Sequence, residues 1–241
     1  MQLLKRLLQK KPRLRAEPRN GVCLMGSNMK RRQKKTRTQE MITAYDESMH
    51  PIGDFPRSYV HRNSMWHQVC HCWIIGVRQG SVRLFLQRRS YEKKSHPGKY
   101  DITSGGHITA GEEPRVAMVR EIREETGIII RPEELIEIGR YREDAGHDKE
   151  IANLFLSIQG DPPFRPGHEV SYMVSADMEE YREMCEGTRD MIEVIPAIRT
   201  GPMLHEKFFA SRDQFSEHDS FLNLVYPFIK EYVRPYIEQY R

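Results

Sequence analysis

No stretch of this chain approaches the ~20 consecutive apolar residues that a membrane-spanning helix needs, and no window near its start carries the apolar core of a secretory signal. Cysteine is scarce. Cys23, Cys70, Cys72 and Cys185 show no paired small-scaffold spacing and no C-x-x-C, which argues against a disulfide framework or a zinc ribbon. The expectation is an unsecreted protein of a reducing, cytoplasmic compartment. Internal repeats and low-complexity core segments are also missing. The 241 residues suffice for one buried core with appendages.

Charge is plentiful but unevenly placed. Residues 1–40 hold thirteen Lys and Arg against Glu17 and Glu40, a balance of +11; since the whole chain carries +4, the remainder carries −7. An acidic domain behind a basic, disordered tail is expected. Such a tail is usually a solvated segment, with non-specific contact to nucleic acid or an anionic surface as the functional alternative. "MQLLKRLLQKKPRLR" leaves open a transit peptide or a surface-binding helix, and Met29 or Met41 could be the translation start.

Beyond residue 41 the organisation sharpens. A polar lead-in with one short edge strand is expected before "QVCHCWIIGV" and "VRLFLQRRS", two β-rich runs joined at "RQGS" as a hairpin. A short strand near Tyr100–Ile102 leads into glycines. A helix runs from Pro114 to its stop at Gly127, with Val116, Val119 and Ile122 on its apolar face. "LIEIGRYRE" and "EIANLFLSIQ" read as strands around "DAGHD"; Ala176–Cys185 and "SFLNLVYPFIKEYV" read as helices. Strands flanking a helix imply an α/β fold, a mixed sheet with helices on both faces. The expected division is a tail at 1–40, a domain at 41–205 and a packed helical segment at 206–241.

One stretch is chemically unusual: "GGHITAGEEPRVAMVREIREETGI", Gly105 to Ile128. Glu121, Glu124 and Glu125 stand at i, i+3 and i+4, so three carboxylates share one helix face, where like charges repel. A hard divalent cation removes that repulsion, and Mg²⁺ or Mn²⁺ prefers such oxygen ligands while bridging phosphates. Arg120 can orient a carboxylate through a bidentate pair, and Gly105-Gly106 permits close backbone approach. Alone, "REIREE" would be an ordinary solvated helix. The fixed spacing of Gly106, Glu112, Arg120-Glu121-Ile122, Glu124-Glu125 and Gly127-Ile128 argues otherwise.

That spacing matches the signature box of the Nudix hydrolases at every specified position. The resemblance implies a Nudix-type α/β/α sandwich with the box as a loop–helix–loop. It also implies hydrolysis of a pyrophosphate linkage, in a nucleoside diphosphate derivative or related diphosphate, by water activated by metal and attacking phosphorus. Glu121, Glu124 and Glu125, with the backbone at Gly105, would hold Mg²⁺ or Mn²⁺, and Arg120 would assist. The general base stays open. From Arg88 to Gly127, with "VHRNSMWH" and Trp73 upstream, the chain resembles the branch of type I isopentenyl-diphosphate isomerases and their hydrolase-like relatives, over roughly residues 41–200. In that branch a metal is held by three histidines and two acids, here His61, His67, His107, Asp148 and Glu150. Arg89 and Lys93 fall where the isomerases contact diphosphate, and Glu169 where many Nudix proteins carry an extra acid.

Isomerisation needs an acid and a base on opposite faces of the carbon skeleton, and the isomerases place a cysteine where this chain has Gly105. Hydrolysis is therefore ranked first, the isomerase second, and a non-catalytic nucleotide- or RNA-binding Nudix protein third. Cys70 and Cys72 read as small buried hydrophobes. His96, His147, His168 and His205 carry no assigned role, and the aromatics Phe221, Tyr226, Phe228 and Tyr232 read as helix packing rather than base stacking. The partner expected is a small-molecule diphosphate, with nucleic acid only through the tail and a homodimer left open.

Overall fold

The structure is a computed structural model that describes residues 39–78, 80–197 and 207–233. Nearly all of the basic tail, with Cys23 and Met29, and His205 lie outside the described residues. Everything described is organised around one long strand, β3 (Trp66–Arg78). Its hydrophobic run pairs antiparallel with β4 (Ser81–Arg89) and β6 (Ser104–His107), and parallel with β8 (Lys149–Ile158). β1 (Met41–Tyr45) joins it through Ala44 opposite His67, and β2 (Pro51–Pro56) closes a hairpin on β1. The sequence suggested a single edge strand there. The missed signal is the alternation in "MITAY", which buries Ile42 and Ala44.

The other edge continues from β4 through β9 (Val170–Asp177) to β10 (Met191–Pro196) and β11 (Phe208–Ser211). β5 (Tyr100–Asp101) pairs with β4, and β7 (Ile136–Asp144) with β8. Within the segment expected to be helical, Phe208–Ser211 thus contributes a strand of the same sheet. The helix anticipated over Ala176–Cys185 starts later: β9 extends to Asp177, whose carboxylate then caps α3 (Met178–Cys185) by accepting from the backbone of Glu179 and Glu180. α1 (Arg57–Arg62) follows β2 directly.

Side chains along β3 alternate between faces, and each face has its own core. Cys70, Cys72 and Ile74 point toward α2 (Pro114–Thr126), which buries Ala117, Met118 and Ile122 against them. Val69, Trp73 and Ile75 point the other way, into a cluster with Tyr181 of α3 and Phe221, Val225 and Ile229. Those last three belong to the C-terminal helical segment, wound as Phe221–Val225, Tyr226–Phe228 and Ile229–Val233. Trp73 packs on Phe221 at 4.9 Å between ring centroids. This is an α/β/α sandwich. Among the described residues no helix is long and apolar enough to cross a membrane.

The register of α2 is fixed at both ends. Pro114 occupies its first turn, where a missing N–H costs nothing. At the other end Gly127 adopts φ +70°, and the loop before β9 caps the last carbonyls: Arg165 N–H donates to Thr126 O at 2.8 Å and Gly167 N–H to Glu125 O at 2.9 Å. A Cβ on Gly127 would lie 2.2 Å from the Arg165 carbonyl oxygen. Gly111 offers a control, since φ is +79° but nothing lies within 4 Å of its would-be Cβ. Gly111→Ala should therefore lose only the left-handed strain of roughly 1–2 kcal/mol, and Gly127→Ala at least twice that. Urea unfolding of the two variants measures the difference; equal losses would refute the capping role.

Candidate active site and metal centre

The box residues converge where α2 meets β6. Glu125 is buried and its Oε2 accepts from Ser104 Oγ at 2.8 Å, Gly105 N–H at 3.0 Å and Gln87 Nε2 at 3.4 Å. Three donors on one oxygen fix the carboxylate and leave Oε1 for a ligand. Burial outweighs those donors and pushes the Glu125 carboxyl up to about 7. Glu121 lies against Gly106, where a Cβ would come within 2.2 Å of its Cδ, so only glycine lets this carboxylate sit on the loop. Burial raises Glu121 as well, opposed by Arg120. Glu124 is the outermost of the three, its side chain 62% exposed.

Arg120 is the clamp. Its guanidinium binds both oxygens of Glu112 at 3.0 and 2.9 Å, Glu121 Oε1 at 2.6 Å and the His107 carbonyl at 3.2 Å. That hydrogen-bonded pair holds Glu112 below the usual carboxylate range. One arginine thereby positions a box acid and the loop that carries His107.

On the opposite face of β3, His61, His67 and His107 bring ring nitrogens within 4.8 Å of one another. His61 Nε2 and His107 Nε2 are 2.9 Å apart, and the His67 and His107 rings stack at 5.2 Å. Asp148 Oδ1 lies 3.1 Å from His61 Nδ1 and 3.8 Å from His67 Nε2. Glu150 pairs in register with His67 across β8 and shares its ligand-distance group with Asp148. His67 Nδ1 donates to the Met65 carbonyl at 3.0 Å, which leaves Nε2 with its lone pair. Among the described residues, His67 Nε2 is buried with no hydrogen-bond partner, and Asp148 Oδ1 is buried with His61 as its neighbour in an ion pair rather than a well-aligned hydrogen bond. Burial lowers His67 and His107, so both imidazoles are neutral, and burial beside Asp148 and Glu143 pushes Glu150 up to about 7. Orphaned lone pairs, neutral imidazoles and crowded acids together fit a divalent cation held by nitrogen and oxygen.

The anticipated diphosphate contacts divide. Lys93 is ion-paired with Glu169 and acts electrostatically on Glu125, so it stands at the mouth of the box. Arg89 instead binds Asp101 at 2.7 Å and the Ser95 carbonyl and hydroxyl at 3.0–3.2 Å. Its guanidinium braces the loop between β4 and β5 rather than facing a ligand. Sequence reading also passed over Gln87, Ser104 and the group formed by Asp101, His71, Glu143 and His218. His71 had a readable signal, since it shares a β3 face with His67 through period-2 alternation. His218 had none, because only the fold brings it to Asp101, at 2.5 Å.

Cys70 and Cys72 are buried free thiols, pushed up by burial, as small core residues should be. Gly105 faces the same side as His71, and a Cβ there would lie 3.0 Å from His71 Cδ2 and 3.0 Å from Ile102 Cδ1. The space that a residue-105 side chain would use is already taken.

Because Glu125 titrates higher folded than in a free chain, the fold favours its protonated form. Its contribution to stability is complete below the ordinary 4.5 and is lost as pH rises through about 7. In chelator, the melting temperature should therefore fall across that window, with Glu150 adding in the same direction. Glu125→Gln should flatten part of the decline, and added Mg²⁺ should restore the native chain above pH ~7, where metal replaces the proton. Thermal unfolding against pH decides it: an unchanged slope in Glu125→Gln would contradict the raised carboxyl.

The profile of the NUDIX domain family matches residues 68–196. An uncharacterised Nudix hydrolase of Clostridium acetobutylicum is 36% identical over 120 residues, covering 50% of this chain and 58% of that protein. Nudix hydrolase 3 of Arabidopsis thaliana is 30% identical over 138 residues, which cover 53% of this chain but 18% of the plant protein. The chain thus spans less than two thirds of the length of either. An isopentenyl-diphosphate Delta-isomerase of Saccharopolyspora erythraea is 28% identical over 158 residues, 63% of this chain and 80% of that enzyme. The matched segment contains β3 from Gln68 onward and the whole box helix, and this chain belongs to the Nudix family.

Proposed function

We propose that this protein is a metal-dependent hydrolase that cleaves a pyrophosphate linkage in a small diphosphate compound, such as a nucleoside diphosphate derivative. The observation that carries this reading is the fixed Glu125 carboxylate, with one oxygen locked by Ser104 and Gly105 and the Glu121 charge close enough to raise it further. Glu121, Glu124 and Glu125 would hold Mg²⁺ or Mn²⁺ here. Bound there, such an ion supplies Lewis acidity to phosphate oxygens and lowers the pKa of water.

The chain's own residues divide the remaining work. Arg120 keeps Glu121 in place and neutralises part of the acidic cluster when no substrate is bound. Lys93 supplies a point charge that can pass from Glu169 to an arriving phosphate. Arg89 keeps the Lys93 loop in place through Ser95 and Asp101. The histidine group across the sheet would hold a further cation, with Zn²⁺ or Mn²⁺ suited to its mixed donors.

The isomerase reading keeps one observation in its favour, the survival of His61, His67, His107, Asp148 and Glu150 as a group. Gly105 argues against it, because it offers no proton and its surroundings are filled by His71 and Ile102. A non-catalytic role has no comparable support, since the basic tail on which it rests lies outside the described residues.

A panel of nucleoside di- and triphosphates, dinucleotide polyphosphates, nucleotide sugars and isopentenyl diphosphate, each with Mg²⁺ or Mn²⁺, tests the proposal. Hydrolysis of at least one member is expected. Glu121→Gln and Glu125→Gln should each reduce turnover by about 100-fold or more while remaining cooperatively folded, and Arg120→Ala by roughly 10–100-fold with a raised metal requirement. Lys93→Ala should act mainly on KM. Formation of dimethylallyl diphosphate would replace the hydrolase with the isomerase, whereas full activity in Glu125→Gln would remove the box from the chemistry.

A further inference from the structure

Next to the histidine group, but formed by different side chains, lies a second cluster. His71 of β3, Glu143 of β7 and His218, in the segment between β11 and the C-terminal helical segment, bring one ligand atom each within 4.8 Å of one another. We propose that these three residues bind a second nitrogen-held divalent cation, and that this cation fastens the segment after β11 to the central sheet.

The first support is unmet bonding capacity. His71 is 7% exposed, and both His71 Nδ1 and His218 Nδ1 are buried without a hydrogen-bond partner among the described residues. Each unmet buried polar atom costs the free energy of its lost hydration. Two imidazole lone pairs and a carboxylate turned toward one another also repel. A cation at their centre satisfies all three at once.

The second support is the tautomer. His218 Nε2 lies 2.5 Å from Asp101 Oδ1, and Asp101 is itself held by Arg89 at 2.7 Å and by the Ile102 N–H at 2.9 Å. Burial alone would raise Asp101, but His218 and Arg89 outweigh it and keep this carboxylate ionised. An ionised carboxylate takes the proton-bearing Nε2 of His218 and leaves Nδ1 as the lone-pair atom facing the cluster. This carboxylate–histidine arrangement is the usual support of a metal-ligating imidazole.

The third support is the enclosure of the pair: the His71 and His218 rings stand edge to face at 5.7 Å between centroids, and burial lowers His71. Trp73 lies edge-on to His218 at 6.2 Å between ring centroids, which keeps one side of the cluster apolar. Two imidazoles and one carboxylate suit Zn²⁺ best among common ions, with Mn²⁺, Fe²⁺ and Co²⁺ acceptable. The competing occupant is a proton. Burial lowers His218, but Asp101, Glu143 and Glu150 outweigh it and favour that proton; it would sit on Nδ1 and point at Glu143, yet Nδ1 has no hydrogen-bond partner among the described residues.

Metal counting tests this without reference to turnover, so failure of the hydrolase reading would leave the result intact. The full chain, stripped with chelator and held in excess Mg²⁺ to fill oxygen-only sites, is titrated with Co²⁺ and, separately, Zn²⁺. Two nitrogen-ligated equivalents are expected, one at each histidine group. His218→Gln and His71→Asn should each retain one, His67→Asn should retain the other, and His67→Asn/His218→Gln should retain none. Zn²⁺ should raise the melting temperature of the native chain more than that of His218→Gln. If the variants fail to fold, the native chain decides alone: two equivalents support the site, and a single equivalent overturns it. Folded His218→Gln and His71→Asn that still bind two equivalents would overturn it equally. So would imidazole nitrogen resonances that show His218 as an imidazolium in the presence of saturating Zn²⁺, assigning the cluster to a buried proton.

Discussion

One buried oxygen, Glu125 Oε2, connects the helix that bears the acids to the strand that bears the glycines. Its bonds to Ser104 and Gly105 set how α2 meets β6, and β6 in turn lies in register on β3. The bonds persist because the group is enclosed: exposed, the same hydrogen bonds would be exchanged for water at little net gain. Enclosure also raises the carboxyl toward neutrality. A single burial thus gives both mechanical order and readiness for a cation. The loop that caps Glu125 and Thr126 from the far side completes the enclosure through Gly167 and Arg165.

The box was legible because its constraints are local. Charge at i, i+3 and i+4, proline at the helix start and glycine at its stop are all visible within two dozen residues, and α2 lies at Pro114–Thr126 accordingly. The strands around "DAGHD" were legible for the same reason. β10 and β11 were not, since each is short, ends near turn residues and owes its existence to an antiparallel partner. Arg89 shows the limit for sites. Its position in the motif suggested an anion ligand, but Asp101 and Ser95, reached only through the fold of β4 onto β5, take up its donors.

β3 keeps two chemistries apart by its pleat. The α2 face carries the box carboxylates on a helix; the other face gathers imidazoles from β3 and β6, from α1 and from the segment after β11. Arg120 reaches across, from Glu112 and Glu121 to the His107 carbonyl. A change in charge on the box is therefore felt directly by the strand that presents His107. Glu143 and Glu150, opposed in register on β7 and β8, connect the two histidine-bearing groups: burial raises both carboxyls, and Glu143 makes Glu150 harder still to ionise.

Gly105 acquires its meaning from what stands opposite it. Residue 105 and His71 are register partners on β6 and β3, so their side chains would compete for one volume on one face. A side chain at 105 would press on the His71 imidazole and Ile102 at 3.0 Å, so both would have to give by a few tenths of an ångström to admit it. With glycine, the volume stays with the His71 imidazole, which lies within ligand distance of His218 and Glu143. Having no side chain, residue 105 brings no proton donor or acceptor to that face, and the polar groups that do meet there come from β3, β7 and the segment after β11.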